Sequence, residues 1–425
     1  MSGKREADLV VVGAGAAGLA AAAAAQAGGL DVVLLEAKDR IGGRALTDAA
    51  SLPSGPFDIG CHWLHDASEN PFAAIALATG RRIRNTVHPG RMPRWLAVGG
   101  DIKGEAERAA AADYNAAAFA AFAEAGAAGR DVAGATVLDA SSPWYPIFRG
   151  WCSALMGVPP ERLSTADYAA NRDTGENWPV CDGYGALVAA AFADVPARLS
   201  TPVAKIDGTG ARMRVETAAD GAIEAEDVIL TVSTTVLASG AIEIAPGLPA
   251  DLEAAIEACP LGHAERIGVA LRRKIDGIPD QTAGHLFTKA GDQIGIMIHE
   301  FGRPELTGYL SGDLAKALGA AGEKAVFAVF RDALKEAFGA DFENEIAAWT
   351  CSQWTGDPHI QGAYSAARPG EAHRRPRLRE PAQERLFLAG EATHPERFAS
   401  AHGAYMSGLR AVGQVRARRK RAGLE

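Results

Sequence analysis

The stretch Asp8-Leu9-Val10-Val11-Val12-Gly13-Ala14-Gly15-Ala16-Ala17-Gly18 decides how the rest of the chain is read. Its apolar run is too short for a helix and rich in β-branched residues, so it reads as a buried strand. Gly13, Gly15 and Gly18 follow in G-x-G-x-x-G spacing, and residues 19–27 read as an alanine-rich helix closed by Gly28 and Gly29. A second strand over 31–35 ends in Glu36. In such a strand–turn–helix unit Gly13 turns the chain, Gly15 clears space for a pyrophosphate, and Gly18 lets the helix lie close to the sheet. The helix start offers N–H groups and partial positive charge to phosphates. Glu36, 18 positions beyond Gly18, stands where a carboxylate accepts ribose hydroxyls, and an acid there argues against a 2′-phosphate. The unit implies a dinucleotide site. Residues 9–30 also form an uncharged run after Lys4 and Arg5, but glycine punctuation, alanine rather than leucine, and the flanking Glu6 and Asp8 argue against a signal or anchor segment.

The chain of 425 residues, 48% hydrophobic, is long enough for two domains and a large core. Its net charge of −9 provides no general basic field for nucleic acid. The basic run over 416–421 reads as a frayed, solvated helix end. Five cysteines, Cys61, Cys152, Cys181, Cys259 and Cys351, are scattered singly, which suggests reduced thiols and a cytoplasmic setting. No H-x-x-x-H, H-E-x-x-H or C-x-x-C spacing occurs, so no metal is expected.

Beyond Glu36, the paired Gly42 and Gly43 stand between Arg40 and Arg44, a combination that brings backbone N–H groups and a guanidinium to a second phosphate contact. Next comes Asp58-Ile59-Gly60-Cys61-His62-Trp63-Leu64. The glycine turn, Glu36, the segment over 40–44 and this Asp-x-Gly-x-x-Trp segment together resemble the flavin-containing amine oxidase superfamily. Near the other end, Gln353-Trp354-Thr355-Gly356-Asp357-Pro358, Gly362-Ala363-Tyr364-Ser365 and Leu386-Phe387-Leu388-Ala389-Gly390-Glu391 are similar to further family segments.

The resemblance implies an α/β fold: a discontinuous Rossmann-like FAD-binding domain over 1–75, 195–245 and 375–425, with an inserted α+β substrate domain over 76–194 and 246–374. It implies FAD, held by Gly13, Gly15, Gly18, Glu36, Ala37, Gly43 and Arg44. It sets Gly60, Cys61 and His62 along the flavin ring, Val203 against the adenine through its backbone, and Trp354 and Gly390 at the cofactor. Glu391 falls near the ribityl or phosphate part, and a helix beginning at Ser400 points its start, with Ala401, at flavin N1 and O2, where charge develops on reduction; His402 either adds to that site or only caps or packs. Ala363 replaces the cysteine that bonds flavin in monoamine oxidases, so the FAD is expected to be non-covalent. Tyr364 matches one wall of the aromatic cage for the amine, while the second wall falls at Ser400. Arg266 occupies the position where many members carry the lysine that holds a water at flavin N5, which bears on oxidase against dehydrogenase behaviour.

Trp63, Tyr364 and Arg266 are therefore expected around the reacting atoms, and Pro143-Trp144-Tyr145-Pro146 and Trp151 are candidates for the substrate cavity or for core. The implied reaction takes a hydride from the carbon bearing an amine to flavin N5. The imine hydrolyses, and O2 or another acceptor reoxidises the flavin, with O2 giving H2O2. The alternative on the same fold is an FAD-dependent desaturase or dehydrogenase of a lipophilic substrate, carotenoid-like or porphyrinogen-like; a flavin-binding scaffold is the third reading. The expected partners are a small-molecule amine and an electron acceptor, with no nucleic acid and no membrane span; homodimer formation is left open.

Overall fold

A computed structural model describes residues 6–84, 95–218 and 221–424. The opening strand Glu6–Val12 pairs in parallel with Val32–Leu35 on one side and with Gly221–Leu230 on the other. Ala197–Arg198 and Leu386–Leu388 extend this parallel sheet at its two flanks. Val203–Asp207 and Met213–Thr217 join as an antiparallel meander, and Glu243–Ala245 completes eight strands. Both faces are covered: Leu9 and Val11 enter one core with Leu19 and Val412, and Val10 and Val12 enter another with Ile206 and Leu252. That is why the opening strand is a continuous apolar run rather than an alternating one.

The helix Ala16–Ala27 lies against the last helix, Ala401–Arg421. Small residues make the approach possible, since a Cβ on Gly408 would come within 2.1 Å of the Ala17 carbonyl oxygen. The basic end of that last helix is not a frayed, solvated tail. Arg419 is buried and pairs with Asp8 at 3.0 Å, and Arg418 reaches the buried Asp227 at 3.4 Å. The two carboxylates lie on neighbouring parallel strands, so the helix end is anchored to the sheet by charge.

A second sheet of seven strands runs in the order Ile346–Cys351, Ala264–Leu271, Glu305–Ser311, Gln293–Ile298, Thr282–Phe287, Trp95–Val98, Asp101–Ile102. It is mostly antiparallel, and its residues sort by alternation. Ile267, Val269, Ile294, Ile296, Leu306 and Leu310 pack with Val326, Phe330 and Leu334 of the helix Glu323–Phe338. Their neighbours Arg266, Gly295, Met297 and Tyr309 fall on the opposite face, and that face meets the cavity described below. The protein is thus an α/β molecule with a Rossmann-like nucleotide domain and a mixed second domain.

One exposed and one packed glycine of the last helix give a paired test. Gly413 has open space at its Cβ position whereas Gly408 faces backbone. Gly413→Ala is expected to stabilise by about 0.5–1 kcal/mol, and Gly408→Ala to cost about 1–3 kcal/mol. Denaturant unfolding of both variants reads the difference; equal effects would contradict the packing.

Candidate active site

A cavity of about 660 Å³ is lined by residues of both sheets, a size within the ~300–1,000 Å³ usual for small-molecule and cofactor sites. Gly13, Gly15, Glu36, Ala37, Gly43, Arg44 and Val203 line it on the nucleotide side. A parallel bridge joins Gly15 to Gly42, and a Cβ on Gly43 would stand 3.1 Å from the Gly15 Cα, so the two glycine turns meet as bare backbone. Gly18 does not line the cavity; its Cβ would fall 1.8 Å from the Gly13 carbonyl oxygen, so it serves the close packing of helix on turn.

The helix behind Gly15 has no side-chain cap and no acid in its first turn, which leaves its start suited to an anion. Glu36 accepts the N–H of Ala14 at 2.7 Å and of Lys38 at 2.9 Å. These bonds aim the carboxylate while lone pairs remain on it for hydroxyls. Uncapped helix start, oriented acid and side-chain-free turns fit a bound dinucleotide such as FAD.

Further along, Gly60, Cys61, Trp354, Gly390, Glu391 and Ala401 line the cavity. A Cβ on Gly60 would lie 1.8 Å from the Arg44 carbonyl oxygen, so only glycine fits there. Burial raises the Cys61 thiol well above its ordinary range and keeps it protonated. Glu391 is fully engaged by protein donors: Ser365 N–H at 3.1 Å, Ser365 Oγ at 2.7 Å, Ala399 N–H at 2.8 Å and Arg44 at 3.2 Å. Ser400 caps the last helix by accepting the Gly403 N–H at 3.1 Å, and no acid stands in that first turn. The His402 ring turns away from the cavity, its Nε2 lying 3.6 Å from Asp66, and burial holds it well below the ordinary histidine range. Only its backbone remains at the helix start.

At the far side stand Trp63, His62, Arg266 and Tyr364. The Tyr364 hydroxyl donates to the Ala154 carbonyl at 2.8 Å, so the ring is fixed as a wall and the hydroxyl is committed. Arg266 is buried and donates to the Asp58 carbonyl at 2.6 Å. Its Nη2 lies 3.7 Å from Glu300, and its guanidinium rests between the rings of Phe57 and Tyr309 at 4.8 and 5.4 Å. His62 bridges the Asp58 carboxylate at 2.9 Å and Glu300 at 2.7 Å. Asp58 also caps the helix Tyr184–Ala191 through the Tyr184 and Gly185 N–H groups. Glu300 sits between His299 and Phe301, both at φ of 56°, a left-handed pair that costs about 1–3 kcal/mol each and is held in place by this charged network.

Of the aromatic candidates, Trp151 lines the cavity, whereas Trp144 packs with Leu96, Ala111 and Ile147 and the Tyr145 hydroxyl donates to Glu161. The sequence reading missed His65, His285 and Tyr309, which line the cavity, and Glu300, which supports it. His285 precedes Leu286, and Tyr309 alternates with Leu306 and Leu310, so each stands on the face opposite the apolar core, a signal the sequence does carry. Glu300 has no local signal.

A model described as flavin containing amine oxidoreductase matches residues 103–416, and a model of the NAD(P)-binding Rossmann-like domain matches residues 11–76. The chain is 26% identical to the lysine-specific histone demethylase 1B of Mus musculus, covering 96% of this chain and 53% of that protein. It is 26% identical to the probable polyamine oxidase 4 of Arabidopsis thaliana, covering 95% and 86%. It therefore spans about half the length of the demethylase and most of the plant protein. Among solved structures, wild-type putrescine oxidase bound to putrescine aligns with a TM-score of 0.76 at 20% identity, over 98% of this chain and 100% of that one, a likeness of fold.

Two outcomes follow from the geometry. Glu391→Gln removes the charge that four donors share and is expected to cost about 2–4 kcal/mol in unfolding free energy; a change near zero would show that the hub is dispensable. Burial and the Arg266 charge push the His62 imidazolium down, but Glu300 and the hydrogen bonds to Asp58 and Glu300 outweigh them and leave its pKa raised. The stabilisation from charged His62 is then complete below the ordinary value of ~6.5 and fades as pH rises through the raised value. In thermal unfolding, the margin of the natural protein over His62→Gln should shrink with rising pH across that window; a margin that grows would contradict the assignment.

Proposed function

The chain belongs to the flavin-containing amine oxidoreductase family, and from that premise we propose that it binds FAD without a covalent bond and oxidises an amine at the carbon bearing the nitrogen. The observation that carries this reading is one continuous cavity joining the glycine cradle around Gly15 to the aromatic walls Trp63 and Tyr364. Bound FAD supplies the acceptor for a hydride from that carbon, and O2 or another acceptor takes the electrons onward. The protein's own part is positioning. Trp63 and Tyr364 confine the substrate, Tyr364 being locked by its bond to Ala154. The acids that line the cavity, Glu36, Glu265 and Glu391, all accept hydrogen bonds from the protein, which leaves an amine free to enter uncharged. The imine leaves to hydrolyse in water.

The names of the relatives, a polyamine oxidase and a histone demethylase, support an amine as substrate. Non-covalent binding rests on Ala363, which offers no sulfur, and on Cys61, whose thiol is held protonated. The nucleotide domain is assigned to 1–75, 195–245 and 375–425, and the substrate domain to the segments between them. Arg266 is assigned a role in how fast electrons pass to oxygen, because it holds a buried positive charge on the cavity wall.

Purified protein should be yellow and release free FAD on denaturation. Under anaerobic conditions an amine should bleach the flavin, and admission of air should restore colour with formation of H2O2. Arg266→Met should slow the return of colour more than the bleaching. Flavin untouched by every amine but bleached by a lipophilic alkene would move the protein to the desaturase reading.

A further inference from the structure

Four residues stand side by side across the second sheet. Arg266 pairs with Tyr309, Tyr309 with Gly295, and Gly295 with His285, so all four belong to one cross-strand row and share one face. All four line the cavity. Three strand spacings of ~4.8 Å put His285 about 14 Å from Arg266 along that wall. Gly295 leaves the wall open between the two side chains that flank it, because a Cβ there would stand only 3.3 Å from that of Tyr309.

His285 is 4% exposed, and Trp151 holds its ring edge-on at 4.7 Å and 88°. Its ring nitrogens make no hydrogen bond to any other described residue. Burial alone pushes its imidazolium down to about 4, so it stands neutral, with one donor and one acceptor nitrogen. A ring nitrogen that no described residue bonds is satisfied by what enters the space it faces, and His285 faces the cavity.

Among the described residues, no acid that lines the cavity is left unpaired on this wall. Glu265, the acid of the second sheet that lines the cavity, accepts from Ser352, Trp354 and Thr355. Glu300 is taken by His62 and Arg266. A second ammonium group carried down the cavity would therefore meet a neutral imidazole on a wall with no unpaired carboxylate among the described residues, and would lose its water without gaining a counter-charge.

We propose that His285 is a specificity-determining residue that selects amines whose far end is uncharged and hydrogen-bonding, and that the cavity turns away α,ω-diamines. This rests on the amine reading above for the identity of the reacting end. It sets the protein apart from the diamine named in the putrescine oxidase structure.

The test compares straight-chain monoamines, ω-amino alcohols and α,ω-diamines of matched length on the FAD-loaded protein. Anaerobic bleaching gives kcat/KM, and calorimetry with α,α-dimethyl analogues, which have no hydrogen to lose, gives affinity. The amino alcohols should lead and the diamines trail by ~10-fold or more in both measures. His285→Leu should lower the amino alcohol to monoamine ratio by ~10-fold, and His285→Glu should raise the diamine ratio. Diamines equal to or better than amino alcohols, or a His285→Leu change that moves all three classes alike, would overturn the proposal. A protein that bleaches with no amine would end the amine reading, while the calorimetric ranking would still decide the role of His285.

Discussion

The carboxylate of Glu391 is the point on which the cavity depends. It follows the short strand Leu386–Leu388 of the nucleotide sheet, yet its donors come from Arg44, Ser365 and Ala399. Ser365 passes the connection on, since its hydroxyl also takes a bond from Arg375 at 2.9 Å, and Arg375 grips Asp167 with two nitrogens at 2.7 and 2.8 Å. Segments hundreds of residues apart in the chain are thereby held around one buried charge. Such a cluster is stable only when complete, because every donor left without its acceptor would carry a desolvation cost of about 1–3 kcal/mol. This favours a cavity wall with one arrangement over one that adapts to many ligands.

Close packing of small residues performs the complementary task. The alanine-rich helix Ala16–Ala27 and the helix Ala401–Arg421 approach through Gly408 and Ala17, and both helices begin at the cavity. Neither carries an acid in its first turn. Two partial positive charges thus face one space, and that suits a ligand with anionic character at more than one place. At the opposite end of the second helix Arg418 and Arg419 suit the partial negative charge there, and they are paired in turn with Asp227 and Asp8. The arginines that read in sequence as a solvated tail in fact fix the helix axis, which in turn fixes where its start points.

The nucleotide half of the molecule was legible in sequence because its rules are local. Gly13, Gly15, Gly18 and Glu36 are set by the geometry of one strand, one turn and one helix. Arg419 was not legible, because its partner Asp8 is at the other end of the chain, and no spacing rule reaches that far. The second sheet was opaque for a related reason. Whether Tyr309 stands beside Arg266 or beside its neighbour is decided by strand register, and a slip of one residue would turn every side chain to the other face. His402 stands at the helix start that the sequence indicated, but its ring packs toward Asp66, a residue outside the helix sequence.

The presence of arginine rather than lysine at position 266 follows from the company it keeps. The planar guanidinium lies between two rings, donates to the Asp58 carbonyl and still faces Glu300, a set of contacts that a single ammonium point could not satisfy together. Asp58 and Glu300 carry two formal negative charges, Arg266 one positive charge, and His62 a second when protonated. The network is neutral with His62 charged and carries one net negative charge when it is not. Because Arg266 borders the cavity, the state of His62 sets how much of the guanidinium charge is felt there. Loss of the His62 proton would hold Glu300 more tightly to Arg266 and weaken the positive field at the cavity wall. The electrostatics of the site are therefore governed by a histidine that need not touch the substrate.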